Sequence, residues 1–227
     1  IRAVMASTLE KLGINVEMTH HECAPSQHEI DIEYNEALKI ADNVMILKQA
    51  IKTVANSRDL YATFMPKPVF GINGSGMHTH QSLFNEKCKN LFYDGKDKYK
   101  LSRLAYHFMG GQLKYIREIA AVLCPTVNSY KRLVRGYEAP VYICWGQRNR
   151  SALIRVPKYS EGREKSTRLE LRCSDPSCNP YLAFAVMLAA GLKGIEEEIE
   201  PPNPVEEDVY GFDDRKLAKF YIKTLPA

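Results

Sequence analysis

The sequence has little that would tie it to a membrane or to an oxidising compartment. Its 227 residues include only six cysteines, and no two of them form a CxxC pair. A disulfide framework is not expected at this size and density, and zinc-ribbon spacing is absent. The uncharged run from Asn179 to Leu192 has 14 residues, fewer than the ~20 that span a bilayer. We therefore expect free thiols, a cytoplasmic location, a buried helix over this run and no membrane segment.

The sequence also lacks a recognisable start. It begins at Ile1 without a basic and then apolar leader, so no signal peptide is expected. It stops at Ala227, shortly after a new amphipathic segment has begun. We interpret the chain as a fragment cut at both ends. Hydrophobic residues make up 45% and charged residues 26%, which is close to the globular average and excludes wholesale disorder.

Hydrophobic periodicity predicts an α+β fold, with a largely antiparallel sheet and long helices, rather than a series of βαβ units. Apolar residues three or four apart predict helices, listed here by number: 1–12, 37–54, 101–123 and 179–200. Alternating or short apolar runs predict strands at 14–20, 28–34, 61–65, 77–84, 141–145, 152–156 and 167–171. Asn179 and Pro180 supply the cap and the first-turn proline of the last helix.

Carboxylates cluster around the first predicted hairpin. Glu29, Asp31 and Glu33 share one face of the second strand, and Glu22 lies across the turn. Because clustered carboxylates repel one another, an oxygen-liganded Mg²⁺ or Mn²⁺ would explain the pattern. The alternative is a solvated acidic face. The neighbouring histidines do not indicate zinc, since neither HExxH nor a cysteine partner is present.

A glycine-rich turn precedes two histidines on one strand face. Glycines at 71, 74 and 76 let the backbone approach a ligand, and His78 and His80 follow. The turn is neither a Walker A loop nor a dinucleotide-binding fingerprint. Neutral imidazole suits Mn²⁺ and is tolerated by Mg²⁺ in a mixed carboxylate site. The pattern favours a ligand site, although an ordinary turn remains open.

Positive charge is concentrated in one segment. The net charge is +4, yet residues 131–172 hold 11 Lys or Arg against 4 Glu. Arginines that converge with one carboxylate, here Glu170, suit phosphate clamping beside a metal ion. A nucleic-acid groove is the competing interpretation. We do not expect it, because aromatic residues are not interleaved and no nucleic-acid-binding signature accompanies the arginines.

A loop in the same segment brackets one carboxylate with a glycine and a proline. Gly136, Glu138 and Pro140 would suit a lid that presents a single base. An ordinary surface turn is the alternative at this stage.

Five ordered motifs resemble glutamine synthetase of the bacterial and archaeal type I class. They are HHECAPSQHE at 20–29, NGSGMHTHQSL at 73–83, NSYKRLVRGYEAP at 128–140, RNRSALIRVP at 148–157 and STRLELRCSDPSCNPYLAFA at 166–185. The resemblance implies a glutamine synthetase/guanido kinase-like catalytic domain over 1–227, without the family's small N-terminal β-grasp domain. It also implies ligation of ammonia to L-glutamate with ATP, through γ-glutamyl phosphate.

The resemblance assigns roles to individual positions. The metal ligands for two or more Mg²⁺ or Mn²⁺ ions would include Glu22, Glu29, His78 and Glu170. The glutamate site would include Asn73, Gly74, Arg132, Glu138, Arg150 and Arg172. The ATP site would include Glu17, Tyr34, His80, Ser82, Arg150, Arg155, Lys165 and Arg168. Glu138 would act as the catalytic base on ammonium, and Arg150 would assist catalysis.

The resemblance also carries expectations about regulation and assembly. Family members form two stacked hexameric rings, so a homo-oligomer is expected, with neither nucleic acid nor membrane as a partner. A family Glu-x-Glu pair lies upstream of this sequence, so little activity is expected from this chain alone. Tyr210 lies where some relatives are adenylylated. Arg135 stands where many relatives have proline, which is expected to loosen the loop around Glu138.

Two other functions fit the same motifs. A sibling γ-glutamyl ligase would join glutamate to a polyamine or another amine by the same phosphoryl chemistry. An inactive homologue would bind ATP or glutamine and regulate a partner. The retained carboxylates and arginines argue against the inactive homologue, and the RGYEAP loop favours ammonia.

Overall fold

The computed structural model describes residues 1–220 and 222–225 and has an α+β architecture. Within these residues the helices are α1 (Arg2–Lys11), α2 (Ala37–Asn56), α3 (Arg103–Leu123), α4 (Val127–Arg132), α5 (Pro180–Glu196) and α6 (Asp214–Lys219). The strands are β1 (Val16–His21), β2 (His28–Ile32), β3 (Thr79–Gln81), β4 (Tyr142–Gly146), β5 (Ala152–Arg155), β6 (Leu169–Leu171) and β7 (Lys223–Thr224). Two short 3₁₀ helices lie at Glu164–Ser166 and Val209–Gly211.

The strands form a separate hairpin and one mixed sheet. β1 and β2 pair in antiparallel fashion, and this register sets His20 opposite Glu29. The larger sheet has the order β3-β6-β5-β4-β7, in which β4 and β5 run parallel and the other described neighbours are antiparallel. The predicted α+β class with a largely antiparallel sheet is therefore confirmed.

The register of the larger sheet aligns three side chains in one row. His80 on β3 pairs with Glu170 on β6, and Glu170 pairs in turn with Arg155 on β5. Neighbouring strands lie about 4.8 Å apart, so a residue at each of these positions lies beside the next. This row forms one wall of the site described below.

Helices α3 and α5 pack closely and support the sheet. A Cβ atom on Gly111 would lie 2.2 Å from the carbonyl oxygen of Ala190 and 2.6 Å from Cα of Gly194, so only glycine permits this approach. The side chain of Ser102 caps α3, and Asn179 caps α5 with Pro180 in its first turn, as predicted. The core is made by apolar faces of both helices and by the sheet, including Phe108, Trp145 and Leu169, among others.

The structure departs from the sequence prediction in one strand. Residues 61–65 form no strand, and Tyr61 is 92% exposed. Alternation alone is insufficient there because, among the described residues, no neighbouring strand pairs with this run. The strand predicted at 77–84 shortens to Thr79–Gln81, while α4, α6 and β7 were not predicted as elements. All six cysteines are free, as expected. No described helix is both long and apolar enough to cross a membrane.

Candidate active site

The hairpin gathers one imidazole and two carboxylates. Nδ1 of His20 lies 3.1 Å from Oε1 of Glu22, and Nε2 lies 3.5 Å from Oε2 of Glu29. Burial, together with the charges of Asp31 and Glu22, raises the pKa of Glu29 to about 8. A divalent cation would remove this repulsion, and the donor set of two carboxylates and an imidazole fits Mg²⁺ or Mn²⁺.

His20 is a member of this cluster that the sequence prediction omitted. It shares with Glu22 and Glu29 a set of ligand atoms that all lie within 4.8 Å of one another. The alternation of β1 and its pairing with β2 bring it there. The antiparallel register of β1 and β2 would have placed His20 opposite Glu29. That register can be worked out from the sequence only if the length of the turn is known.

The larger sheet carries a second, buried cluster around Glu170. Its Oε1 accepts a hydrogen bond from Nη1 of Arg172 at 2.7 Å and lies 3.5 Å from Nδ1 of His78. Its Oε2 accepts a bond from Nε of Arg155. Burial acts to raise the pKa of Glu170, but the positive groups, Arg172 foremost, outweigh it and lower that pKa. Glu170 is therefore an anion in the protein interior.

The two histidines of this cluster are neutral at physiological pH. Burial is the largest cause that lowers the pKa of His78, to about 3, and that of His80, to about 4. Although His80 is exposed at the surface, the surrounding protein removes part of its hydration. Nε of Arg168 donates to Nδ1 of His80 at 3.0 Å. Nδ1 therefore carries no proton, and Nε2–H remains a donor.

The hairpin faces the glycine-rich turn and the larger sheet. Nε2 of Gln27, in the hairpin turn, donates to the carbonyl oxygen of Gly74 at 2.9 Å. The carboxylate of Asp31 is close enough to act on the pKa of His80. The two predicted metal clusters therefore lie close together, and we call the space between them the cleft.

Arg132 lies behind the glycine-rich turn. Its buried guanidinium donates to the carbonyl oxygens of Cys173 at 2.7 Å and Arg172 at 3.1 Å. A Cβ on Gly76 would lie 2.5 Å from Nη2 of Arg132, so this glycine allows the turn to rest on the arginine. The contacts of Arg132 in the structure support the shape of the turn.

Glu138 reaches the same cleft from the loop of residues 133–140, which we call the flap. Its Oε2 accepts hydrogen bonds from Nδ2 of Asn73 at 3.2 Å and from Sγ of Cys23 at 3.4 Å. The ligand atoms of Glu22, Cys23 and Glu138 all lie within 4.8 Å of one another. The hydrogen bond with Glu138 is the largest cause that raises the pKa of the Cys23 thiol, while Arg150 acts in the opposite direction.

Cys23 was not among the predicted site residues. No spacing rule links it to Glu138, because 115 positions separate them in the sequence. The proximity follows only from the way the hairpin turn and the flap close on each other.

The remaining predicted residues occupy several elements around the cleft. Glu17 is exposed on β1, Tyr34 is exposed beyond β2, Ser82 follows β3, Arg150 is exposed between β4 and β5, and Lys165 is exposed in the first 3₁₀ helix. The buried side chain of Asn90 fixes this last segment by donating to the carbonyl oxygens of Glu164, Lys165 and Thr167. Nε of Arg172 is buried without a hydrogen-bond partner among the described residues.

Comparison with known proteins identifies the family. The model of the glutamine synthetase catalytic domain matches residues 1–227. Glutamine synthetase of Thermotoga maritima is 57% identical over 226 residues, which cover 100% of this chain and 51% of that protein. That of Methanosarcina mazei is 52% identical over 227 residues, covering 100% and 50%. The chain belongs to the glutamine synthetase catalytic-domain family.

Solved structures agree with this assignment. The chain resembles Plasmodium falciparum glutamine synthetase, solved by cryo-electron microscopy, with a TM-score of 0.86 and 37% identity over 91% of this chain and 40% of that one. It resembles GmaS in complex with ADP with a TM-score of 0.88 and 37% identity over 99% of this chain and 51% of that one. The chain spans about half the length of the curated relatives it matches.

Proposed function

We propose that the natural full-length protein is a glutamine synthetase, which ligates ammonia to the γ-carboxylate of L-glutamate with ATP. The observation that carries this proposal is the position of Glu138. Its carboxylate contacts Asn73 of the glycine-rich turn and lies beside Glu22 of the acidic hairpin. This carboxylate lies on a loop near the cluster around Glu29 and the cluster around Glu170, whose residues can bind cations and phosphate. Such a position suits a reaction that deprotonates an amine next to an acyl phosphate.

The divalent ions would be held by two sets of residues. Glu22 and Glu29, with His20 beside them, would hold the first, and His78 and Glu170 would hold the second. Bound Mg²⁺ or Mn²⁺ supplies charge neutralisation at the phosphates of ATP. The anionic Glu170 and the neutral imidazole of His78 are in the protonation states that such binding requires.

ATP would lie along the basic face of the sheet. Arg155, Arg168 and Lys165 would contact phosphate oxygens, and Nε2–H of His80 would donate to one of them. Glu17, Tyr34 and Ser82 would contribute further nucleotide contacts, as the family resemblance implies. The complex of GmaS with ADP, whose fold this chain shares, supports a nucleotide site in this domain.

Glutamate would bind between the glycine-rich turn and the arginines. The unpartnered Nε of Arg172 is a donor that an anionic ligand would satisfy. Asn73, Gly74 and Arg150 would complete the site, with Arg132 holding the turn from behind. The bound γ-carboxylate would attack the γ-phosphorus of ATP and release ADP, which leaves γ-glutamyl phosphate.

Ammonia would then displace phosphate. Glu138 would take a proton from ammonium, and the resulting ammonia would attack the γ-carbonyl carbon. The C–N bond forms as the C–O bond to phosphate breaks, and the extra proton on the nitrogen passes to the leaving phosphate, which yields glutamine and inorganic phosphate. The flap would exclude water, which would otherwise hydrolyse the acyl phosphate.

Assembly, regulation and location remain part of the proposal. We expect a homo-oligomer of two stacked hexameric rings, with a catalytic domain over 1–227 completed by a β-grasp domain and the upstream Glu-x-Glu pair. A cytoplasmic location is part of the proposal, and the free cysteines support it. Adenylylation at Tyr210 would require its hydroxyl, which in the structure donates to the carbonyl oxygen of Ala139.

The test is phosphate release from Mg·ATP by the natural full-length protein, with glutamate and ammonium omitted in turn. Release that requires both supports the synthetase. Release that requires glutamate but prefers a bulkier amine to ammonium would replace it with the γ-glutamyl-amine ligase. An absence of release under every combination would overturn the enzyme proposal and favour the regulatory homologue.

A further inference from the structure

The flap is tied at two points to the second 3₁₀ helix, Val209–Gly211. Near its start, Nη2 of Arg135 donates to the carbonyl oxygens of Tyr210 at 2.9 Å and Phe212 at 3.0 Å. Near its end, the hydroxyl of Tyr210 donates to the carbonyl oxygen of Ala139 at 2.5 Å. These bonds contradict the expectation that Arg135 loosens the flap, because its guanidinium tethers the loop instead.

The two ties bracket Glu138. Ala139 follows it directly in the chain and is buried, whereas Glu138 is exposed. The Tyr210 phenol is half-buried, and burial is the largest cause that raises its pKa to about 12. The phenol therefore keeps its proton and remains a hydrogen-bond donor throughout the physiological range.

The 3₁₀ helix is itself anchored to the body of the domain. Val209 is fully buried, and its backbone N–H donates to Oγ of Ser151 at 3.0 Å. Nδ2 of the buried Asn149 donates to the carbonyl oxygens of Val205 at 2.8 Å and Glu207 at 2.7 Å. The helix can therefore act as a fixed support to which the flap is fastened.

Two residues of the flap have left-handed backbone conformations. Gly136 has φ of +86° and Glu138 has φ of +57°, so two left-handed residues flank Tyr137. Such conformations are sparsely populated by non-glycine residues and persist where surrounding contacts impose them. One such contact is made by Tyr137, the residue between them, whose ring centroid lies 3.9 Å from Nζ of Lys67.

We propose that Arg135 and Tyr210 are positioning residues that latch the flap shut and so hold the base Glu138 over the reacting centre. The catalytic part of this proposal rests on the proposed function, whereas the latch itself does not. Releasing either tie shifts the flap towards an open position. The acyl phosphate is then exposed to water, and Glu138 is less often in place to accept the proton from ammonium.

The first experiment measures flap opening without reference to catalysis. Tyr210→Phe removes one hydroxyl from the natural full-length protein, and limited chymotrypsin digestion is followed at the bond after Tyr137. We expect cleavage there to become about fivefold faster, the effect of losing one hydrogen bond. Tyr181→Phe is the matched control, because it removes a tyrosine hydroxyl bond of 2.6 Å to Asp42 on another face. Equal rates in Tyr210→Phe and the parent protein would overturn the latch.

Arg135→Gln tests the other tie, with Arg117→Gln as its control. Arg117 also makes two bonds through its guanidinium, but both go to the carbonyl oxygen of Thr224 on β7 and not to the flap. We expect faster cleavage after Tyr137 in Arg135→Gln alone. Thermal unfolding of both variants distinguishes local opening from global destabilisation. If Arg135→Gln accelerates cleavage only in proportion to a general loss of stability, the latch is overturned at this tie.

The catalytic consequence is measured as phosphate release with glutamate present and ammonium absent. We expect this release to increase about fivefold in Tyr210→Phe and Arg135→Gln while the KM for ATP is unchanged. A residue that merely supported the fold would lower all activity together. Faster cleavage in variants of a parent protein that releases no phosphate even when glutamate and ammonium are both present would keep the latch but overturn the proposed function. Faster cleavage with unchanged uncoupled release would overturn the positioning role.

Discussion

Oε1 of Glu170 accepts a hydrogen bond of 2.7 Å from Nη1 of Arg172, two residues further along the chain, and both side chains are buried. The same carboxylate also bonds Arg155 and lies beside His78. A single buried carboxylate thus bonds two guanidinium groups, of which that of Arg172 is buried and that of Arg155 is partly exposed. Each of these residues consequently has a structural role as well as its proposed role in binding.

Arg172→Ala should therefore reduce both stability and the use of glutamate. Removing one partner leaves Glu170 buried with less compensation, at a cost of about 3 kcal/mol. Urea unfolding measures the first effect, and the KM for glutamate measures the second. Arg168→Ala, which removes a more exposed arginine bonded to His80, is the control for stability. An unchanged KM for glutamate in a folded Arg172→Ala protein would contradict the assignment.

Glu138→Ala should lower turnover by about 10²- to 10⁴-fold, the range for a lost general base. ATP binding should remain nearly intact, because the contacts of Glu138 are with Asn73 and Cys23 and not with the basic strands. Steady-state kinetics and nucleotide titration by calorimetry check the two parts. Glu138→Gln is the matched variant that retains an acceptor for Asn73. Equal losses of turnover and ATP affinity would contradict the assignment of Glu138 as the catalytic base.

The effect of Glu29→Gln on stability should change sign when a divalent metal ion is added. Without divalent ions the variant should be at least as stable as the parent, since it removes a half-buried carboxylate crowded by Asp31 and Glu22. With Mg²⁺ at about 100 times its Kd the parent gains about 2.7 kcal/mol, and the variant should gain less. Thermal unfolding with and without Mg²⁺ measures both effects. An identical Mg²⁺ response in both proteins would show that Glu29 is not a ligand.

Cys23→Ala should raise the KM for ammonium a few-fold and change the KM for ATP little. The thiol donates one of the two hydrogen bonds that Oε2 of Glu138 accepts. Cys23→Ser keeps a donor at this position and should restore most of the affinity. Initial-rate kinetics at varied ammonium distinguish the two variants. If Cys23→Ala and Cys23→Ser had the same KM for ammonium, the hydrogen bond from Cys23 would have no role in positioning Glu138.

Local patterns in the sequence predicted the parts of the site that depend on chain-neighbouring residues. Alternation correctly placed His78 and His80 beside the glycines, and Glu170 between two arginines. The cap at Asn179 and the helical stripe of α2 follow from spacing alone. The same reasoning failed at residues 61–65, because a strand requires a neighbour to pair with, and alternation carries no information about neighbours.

Contacts between distant segments could not be predicted in this way. The bonds from Cys23 to Glu138 and from Tyr210 to Ala139 join residues 115 and 71 positions apart. They depend on how the hairpin, the flap and a 3₁₀ helix meet after folding. An arginine at position 135, where many relatives have proline, predicts a looser flap. The sequence alone does not reveal the two carbonyl oxygens to which the guanidinium of Arg135 donates.

The row formed by His80, Glu170 and Arg155 sets a rule for which insertions and deletions the protein can tolerate. Side chains alternate between the two faces of a strand, so adding or removing one residue within β3, β5 or β6 would turn that member of the row away from the cleft. The exposed residues 160–162, which lie between β5 and the first 3₁₀ helix, can vary in length without this effect. Length changes among natural variants should therefore concentrate there and avoid the three strands.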